Sequence, residues 1–382
     1  MPSPPVVRRR RAAVLSAAAL ALVTGAAIGA GGSDEAPTPR EVSEVVGTPE
    51  PVATPDATVA PDKDPVDELS LKQQVGQLVV LRFQGTTAPR YVKDALKNRW
   101  TSGAILFGDN ITDAAQLKRL TRSLRKASGD VTPIICTDQE GGDIRNLKWA
   151  PPQVGQARQV PGRDAKAAAQ VLKAHGLNVT LAPVADVPSV PNAAMGGRAF
   201  STDATTAARA TKAAIEGWRA GGVAATAKHF PGLGGTATNT DQGSASIAGG
   251  PTAKDLEPFK AAIAAKVPLI MSSNARYPRL DASRIAAQSP KVLDGLLRKQ
   301  LKYQGVIITD SIEAAAVRAT GETEEIAVRS VKAGNDIVLT TGQQSWLRAF
   351  RALVAEAQRS KAFRERVRTS ASRVLALQRA LS

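Results

Sequence analysis

Eight short apolar runs, each the length of one strand, recur along this chain at residues 77–83, 103–107, 133–137, 178–182, 223–227, 267–271, 305–309 and 336–340. Stretches with helical period separate several of them, among them 113–128, 205–220, 252–265 and 322–333. Strands that alternate with helices pair in parallel, because each return to the sheet runs through a crossover helix. Runs this apolar suit strands buried on both faces. The pattern predicts an α/β fold, a (β/α)8 TIM barrel forming one domain. A doubly wound open sheet is the alternative. No Gly-x-Gly-x-x-Gly follows the first run, which removes that architecture's best cofactor signal. Hydrophobic content of 43% is enough for a large core, and aromatics at 4% suggest helices packed closely through small residues.

In such barrels the active-site side chains stand on the rim formed by the carboxyl ends of the strands. Here Asp109, Asn110, Asp138, Glu140, Asp186, Lys228, His229, Asn274 and Asp310 all fall just beyond apolar runs. The densest group is Lys228-His229-Phe230-Pro231-Gly232, which leads to Asn239-Thr240-Asp241 and holds one of the chain's two histidines. It gathers a cation, an imidazole and a carboxylate around a glycine-rich turn. His175 lies at a helix end without ligand spacing to His229, so no metal site is expected, and no cofactor either. Asp310 closes the seventh run, where a strand end would hold its carboxylate rigidly at a pocket mouth. The plain alternative is an N-cap for the helix that follows.

The two ends of the chain read differently. Arg8 to Arg11 precede an apolar run reaching about Ala30, with small residues near its close. Residues 1–31 therefore read as an export signal, with an uncleaved N-terminal anchor as the alternative. Residues 32–67 are rich in Pro, Thr, Ala and acids, without hydrophobic period, and are expected to be a disordered spacer. The folded domain is expected over 68–382. Cys136 is the only cysteine and sits in an apolar run, so it reads as a buried inert thiol. The formal charge is +16, with basic residues concentrated in the N-terminal cluster and in the last helix (Arg359, Lys361, Arg364, Arg366, Arg368, Arg373, Arg379). For an exported protein the natural counter-charge is an anionic cell-envelope polymer or membrane surface. A solvated basic helix face explains the charge equally well. Nucleic acid is not expected, because no aromatic platform or recognition motif accompanies it.

Nine stretches between residues 70 and 340 resemble, in order, the motifs of glycoside hydrolase family 3. They are Gly76-Gln77-Leu78-Val79-Val80, Gly103-Ala104-Ile105-Leu106-Phe107, Asp138-Gln139-Glu140-Gly141-Gly142, Ala182-Pro183-Val184-Ala185-Asp186-Val187, Gly197-Arg198-Ala199-Phe200, Lys228-His229-Phe230-Pro231-Gly232, Asp255-Leu256-Glu257-Pro258-Phe259, Ala275-Arg276-Tyr277-Pro278 and Thr309-Asp310-Ser311. The likeness is greatest to the single-domain bacterial β-N-acetylglucosaminidases of cell-wall recycling. It implies a barrel and a retaining exo-glycosidase acting on β-linked N-acetylglucosamine of peptidoglycan-type fragments, exported by its N-terminal segment and expected to be a monomer. It also implies Asp310 as nucleophile, with Asp138, Arg198, Lys228 and His229 hydrogen-bonding the sugar. A retaining pair of catalytic groups stands ~5–5.5 Å apart.

Three departures qualify that expectation. Where the single-domain relatives carry Asp-x-His, with the histidine as general acid/base, this chain has Asn239, Thr240 and Asp241. The relatives' arginine eight residues after Asp138 is Asn146, with Arg145 one step early. A histidine common before Ala-Arg-Tyr-Pro is Asn274. Asp241 is thus the candidate acid/base, since carboxyl groups serve this role once burial raises their pKa. The Gly, Thr and Ala around it suggest a loop able to close over substrate. A sugar-binding protein with a decayed site is the second reading. A phosphorolytic or transglycosylating enzyme is the third.

Overall fold

The computed structural model describes residues 64–382; the export segment expected over 1–31, and the spacer up to residue 63, lie outside the described residues. The described chain begins within the stretch assigned to the spacer. Asp64 caps the 3-10 turn Pro65–Glu68 by accepting from the Val66 amide at 3.2 Å, and Val66 is fully buried. Arg368 donates twice to Asp67 at 2.7 Å, and Ser372 donates to Asp64 at 2.8 Å. One apolar residue among acids and prolines carries no period, so this anchor was invisible as a pattern.

Each of the eight apolar runs supplies a strand: β1 (Val79–Arg82), β2 (Gly103–Ile105), β3 (Ile134–Thr137), β4 (Val179–Thr180), β5 (Thr226–Phe230), β6 (Leu269–Ser272), β7 (Val306–Thr309) and β8 (Val338–Leu339). They pair in parallel in the order β8-β1-β2-β3-β4 and, separately, β7-β6-β5. Single parallel bridges, Val179 to Ala224 and Ile308 to Ile337, lie between the two groups. The result is a curled parallel sheet of TIM-barrel-like character.

Alternation along the strands divides the core in two. Val80, Ile105, Cys136, Val179, Met271, Ile308 and Leu339 pack with one another on one face. Their neighbours Val79, Ala104, Ile135, Ile270, Ile307 and Val338 join the larger cluster with the helices. Those helices are α1 (Leu71–Gln77), α2 (Arg90–Lys97), α3 (Ala114–Ser128), α4 (Pro161–Ala174), α5 (Ala204–Ala220), α6 (Ala253–Ala264), the single turn α7 (Ala315–Arg318), α8 (Thr323–Ala333), α9 (Ser345–Arg359) and α10 (Lys361–Ala380). Side-chain caps start several of them, including Asp113 for α3, Asp203 for α5 and a Thr252–Asp255 capping box for α6. Close packing through small residues is explicit where α4 crosses α5. A Cβ on Gly217 would stand 2.2 Å from the carbonyl oxygen of Gly162. No helix among the described residues is long and apolar enough to cross a membrane.

Candidate active site

A cavity of about 590 Å³ opens among the carboxyl ends of the strands. Ile105, Leu181, Met271 and Leu339 contribute apolar walls, and Asp138, Arg198, Lys228, His229, Asp241 and Asp310 all line it. The six site residues read from the sequence are therefore brought to one place. Asp109, Asn110 and Asn274 are not. Asn110 is buried and donates to the carbonyls of Phe83 and Gly85, a structural role. Asp109 pairs with Arg82 at 3.2 Å. Asn274 lines a smaller cavity of about 220 Å³ and donates to the Ser311 carbonyl at 3.3 Å.

The strand-end reading of Lys228 and His229 needs one correction. Both lie inside β5, which starts later than its apolar run and extends to Phe230. The backbone explains the shift: the Lys228 amide donates to Pro183, its carbonyl accepts from Ala185, and both pairings continue the strand past Ala227. The Lys228–His229 and Phe230–Pro231 peptides are cis.

Lys228 is buried and bridges two carboxylates, at 2.7 Å to Asp138 and 2.7 Å to Glu140. Arg198 grips Glu140 with two bonds of 2.9 and 2.6 Å. Two cations and two carboxylates thus hold each other in position, with charge-assisted bonds that are the stronger kind. Burial opposes the charge on Glu140, but Lys228 and Arg198 outweigh it and pull its pKa down to about 2. Burial likewise opposes the charge on Lys228, yet Asp138 and Glu140 leave its pKa above the usual lysine value. Glu140 appeared in the sequence only as a rim residue; it is the keystone that aims Arg198 and Lys228.

A second chain of contacts runs to Asp310. Asp186 is fully buried and accepts from the backbone amides of His229 and Leu233 at 3.1 and 2.7 Å. Its other oxygen meets His229 Nδ1 at 2.7 Å. That contact fixes the imidazole so that Nε2 faces the Asp310 carboxylate, 3.9 Å away. Asp310 itself follows β7 and accepts from the Ser311 amide at 2.7 Å. A carboxylate held this way, in a cavity lined by fixed donors, has the chemistry to accept hydrogen bonds from hydroxyl groups or to act as a nucleophile.

Residues 70–377 match the description "Glycosyl hydrolase family 3 N terminal domain". The chain belongs to glycosyl hydrolase family 3. A relative named beta-hexosaminidase from Stenotrophomonas maltophilia is 32% identical over 279 residues, covering 69% of this chain and 82% of the relative. An uncharacterized secreted glycosyl hydrolase from Arthroderma benhamiae is 34% identical, covering 74% and 85% respectively. Among solved structures, a beta-N-acetylhexosaminidase from Beutenbergia cavernae superposes with a TM-score of 0.73 at 33% identity, over 81% of this chain and 98% of that one. A family 3 beta-N-acetylglucosaminidase from a Paenibacillus species gives 0.76 at 32% identity, over 82% of this chain and 63% of that one.

Asn239 to Asp241 form a loop at the edge of the cavity. The Asp241 amide donates to the Asn239 side chain at 3.0 Å, closing a local turn. The Thr240 and Asp241 carbonyls accept from Ala316 and Ala315, at 3.1 and 3.3 Å, in the first turn of α7. The loop expected to swing over substrate is thereby tied to the segment that follows Asp310. Burial of its carboxyl, and next the negative charge of Asp310, raise the Asp241 pKa, against the opposing pull of His229, Arg198 and Lys228. At the second departure, Asn146 lines the cavity and donates to Thr137 Oγ1 and the Asp138 carbonyl at 3.1 and 3.2 Å. Arg145 also lines the cavity and bonds Gln153.

Proposed function

We propose that this family 3 glycoside hydrolase, of β-N-acetylhexosaminidase type, is an exported retaining exo-glycosidase. It removes terminal β-linked N-acetylglucosamine through a covalent glycosyl–Asp310 intermediate, and fragments of peptidoglycan type are its natural substrates. The carrying observation is the Asp310 carboxylate, fixed by the Ser311 amide and standing in one cavity with Asp138, Arg198, Lys228, His229 and Asp241. In this reading the four side chains other than the two catalytic aspartates hold one pyranose, and Asp241 protonates the leaving oxygen. The acetamido preference is supported by the names of the relatives, beta-hexosaminidase and beta-N-acetylglucosaminidase. Export is supported by the N-terminal sequence and by the relative described as secreted. The bridges Val179–Ala224 and Ile308–Ile337 support closure of the eight strands into a complete (β/α)8 barrel.

Hydrolysis of aryl β-N-acetylglucosaminides, with and without azide, tests this proposal. Wild type is expected to turn over and to ignore azide, which accelerates enzymes lacking their acid/base. Asp310→Asn is expected to abolish turnover without unfolding the chain. Full activity in that variant overturns the mechanism, and saturable sugar binding with no aryl release by wild type supports a binding protein instead.

A further inference from the structure

The rim is thinly paired at the one place where Asp310 needs support. Between β7 and β8 there is a single bridge, Ile308 to Ile337, where the neighbouring strands have ladders. At the bridge the Asp336 and Ile337 amides donate to the Ile307 carbonyl at 2.7 and 3.0 Å, and the Thr309 amide donates to Ile337 at 2.9 Å. Beyond it, the Leu339 amide donates to Thr309 Oγ1 at 2.9 Å and the Ile312 amide to the Leu339 carbonyl at 3.2 Å. Above this seam a side chain does the joining. Glu313 Oε2 accepts from the Thr341 amide at 2.7 Å, the Thr341 hydroxyl at 2.9 Å and the Ser311 hydroxyl at 3.2 Å. The two hydroxyls also meet each other at 2.6 Å. Ser311 is the residue whose amide holds Asp310 at 2.7 Å, and Thr341 accepts from Arg82 of β1 through its carbonyl at 3.4 Å.

Two further features show how closely the carboxylate is fitted. A Cβ on Gly342 would stand 2.9 Å from Glu313 Cγ, so that position leaves room for the glutamate. Glu313 Oε1 is buried without a partner. A buried carboxylate oxygen that makes no bond is costly, and the side chain gains its place entirely through Oε2.

We propose that Glu313 is a positioning residue for Asp310, acting through Ser311 and Thr341 to brace the β7 end against β8. The proposal rests on the reading of Asp310 as nucleophile. It touches no sugar; it sets where the attacking carboxylate stands. Small displacements of a reacting group are enough to slow chemistry by about 10²-fold.

The test is the rate at which a 5-fluoro N-acetylglucosaminyl fluoride labels the enzyme covalently, with the labelled peptide read by mass spectrometry. Glu313→Ala is expected to slow labelling and to lower kcat by about 10²-fold while KM changes little. Glu313→Gln keeps one acceptor oxygen and should recover part of the rate. Thr341→Val removes one donor to Glu313 and should slow labelling by less than Glu313→Ala. If Glu313→Ala does not fold, as judged by its circular dichroism melt, Thr341→Val and Glu313→Gln decide the matter. Labelling at the wild-type rate in every folded variant overturns the positioning role. Labelling of wild type at a residue other than Asp310 overturns the nucleophile assignment, and this proposal with it.

Discussion

At the scale of single residues, the proposed acid/base is Asp241. Its carboxyl is biased toward the protonated form, first by burial and then by Asp310. A raised pKa keeps the proton in place to higher pH, so donation to a poor leaving group persists there and fails as pH climbs through that value. Asp241→Asn is expected to lower kcat/KM for alkyl β-N-acetylglucosaminides by ~10²–10⁴-fold, to leave kcat/KM for dinitrophenyl glycosides nearly unchanged, and to erase the basic limb of the pH–kcat/KM profile for the alkyl substrates. Steady-state rates across pH with both substrates check this; equal slowing of both would place the acid elsewhere. The individual residues were legible to different degrees. Asp138, Arg198, Lys228, His229 and Asp310 stood out through motif resemblance. Glu140 and Asp186 stood on the rim without a role, because what defines them is a partner 58 and 43 positions away. Sequence spacing does not report such pairings.

At the scale of elements, the segment from Asn239 to Asp241 and the single turn α7 act as one piece. Ala315 is the first residue of α7, a position where proline is well accommodated, and Ala314 before it is extended (φ −55°, ψ 142°), as proline prefers. Ala315→Pro should therefore keep the turn while deleting the amide that holds the Asp241 carbonyl. The expected outcome is a kcat loss confined to poor leaving groups, with a melting temperature close to wild type. Loss with good leaving groups as well would mean that Asp310 has moved too. The strands themselves were legible because buried parallel strands are continuous apolar runs. Their ends were not. β5 runs on through Lys228 and His229 because backbone partners at Pro183 and Ala185 continue it, and a polar side chain does not stop a strand that still has partners.

At the scale of the whole molecule, much of the basic charge near the C-terminus is used internally. The stretch forms two helices, not one. Arg359 pairs with Glu356, Arg364 bonds the Ala357 and Gln358 carbonyls, and Arg368 holds Asp67. Arg366 and Arg373 converge with Arg298 on Asp336, which is fully buried and also accepts from Ser370 and the Ile307 amide. Formal charge counts neither burial nor pairing, so a helix rich in arginine read as an open basic face. An anionic envelope polymer as partner has less of α10 to grip than the sequence implied. Asp336→Ala would leave three arginines around an empty position at the start of β8. The expected cost is about 3–5 kcal/mol, measurable as a lower urea midpoint. An unchanged midpoint would mean that the arginines find other acceptors.

The apolar walls of the main cavity carry one more consequence. Ile105, Leu181, Met271 and Leu339 stand on β2, just after β4, on β6 and on β8, and they close in beneath the polar rim. Under the proposed exo-action, a polymer enters a cavity floored this way by its tip. Sugar is then released one unit at a time while the remaining strand keeps nearly its full length. A solution of long chains would lose almost none of its viscosity as free monosaccharide accumulates.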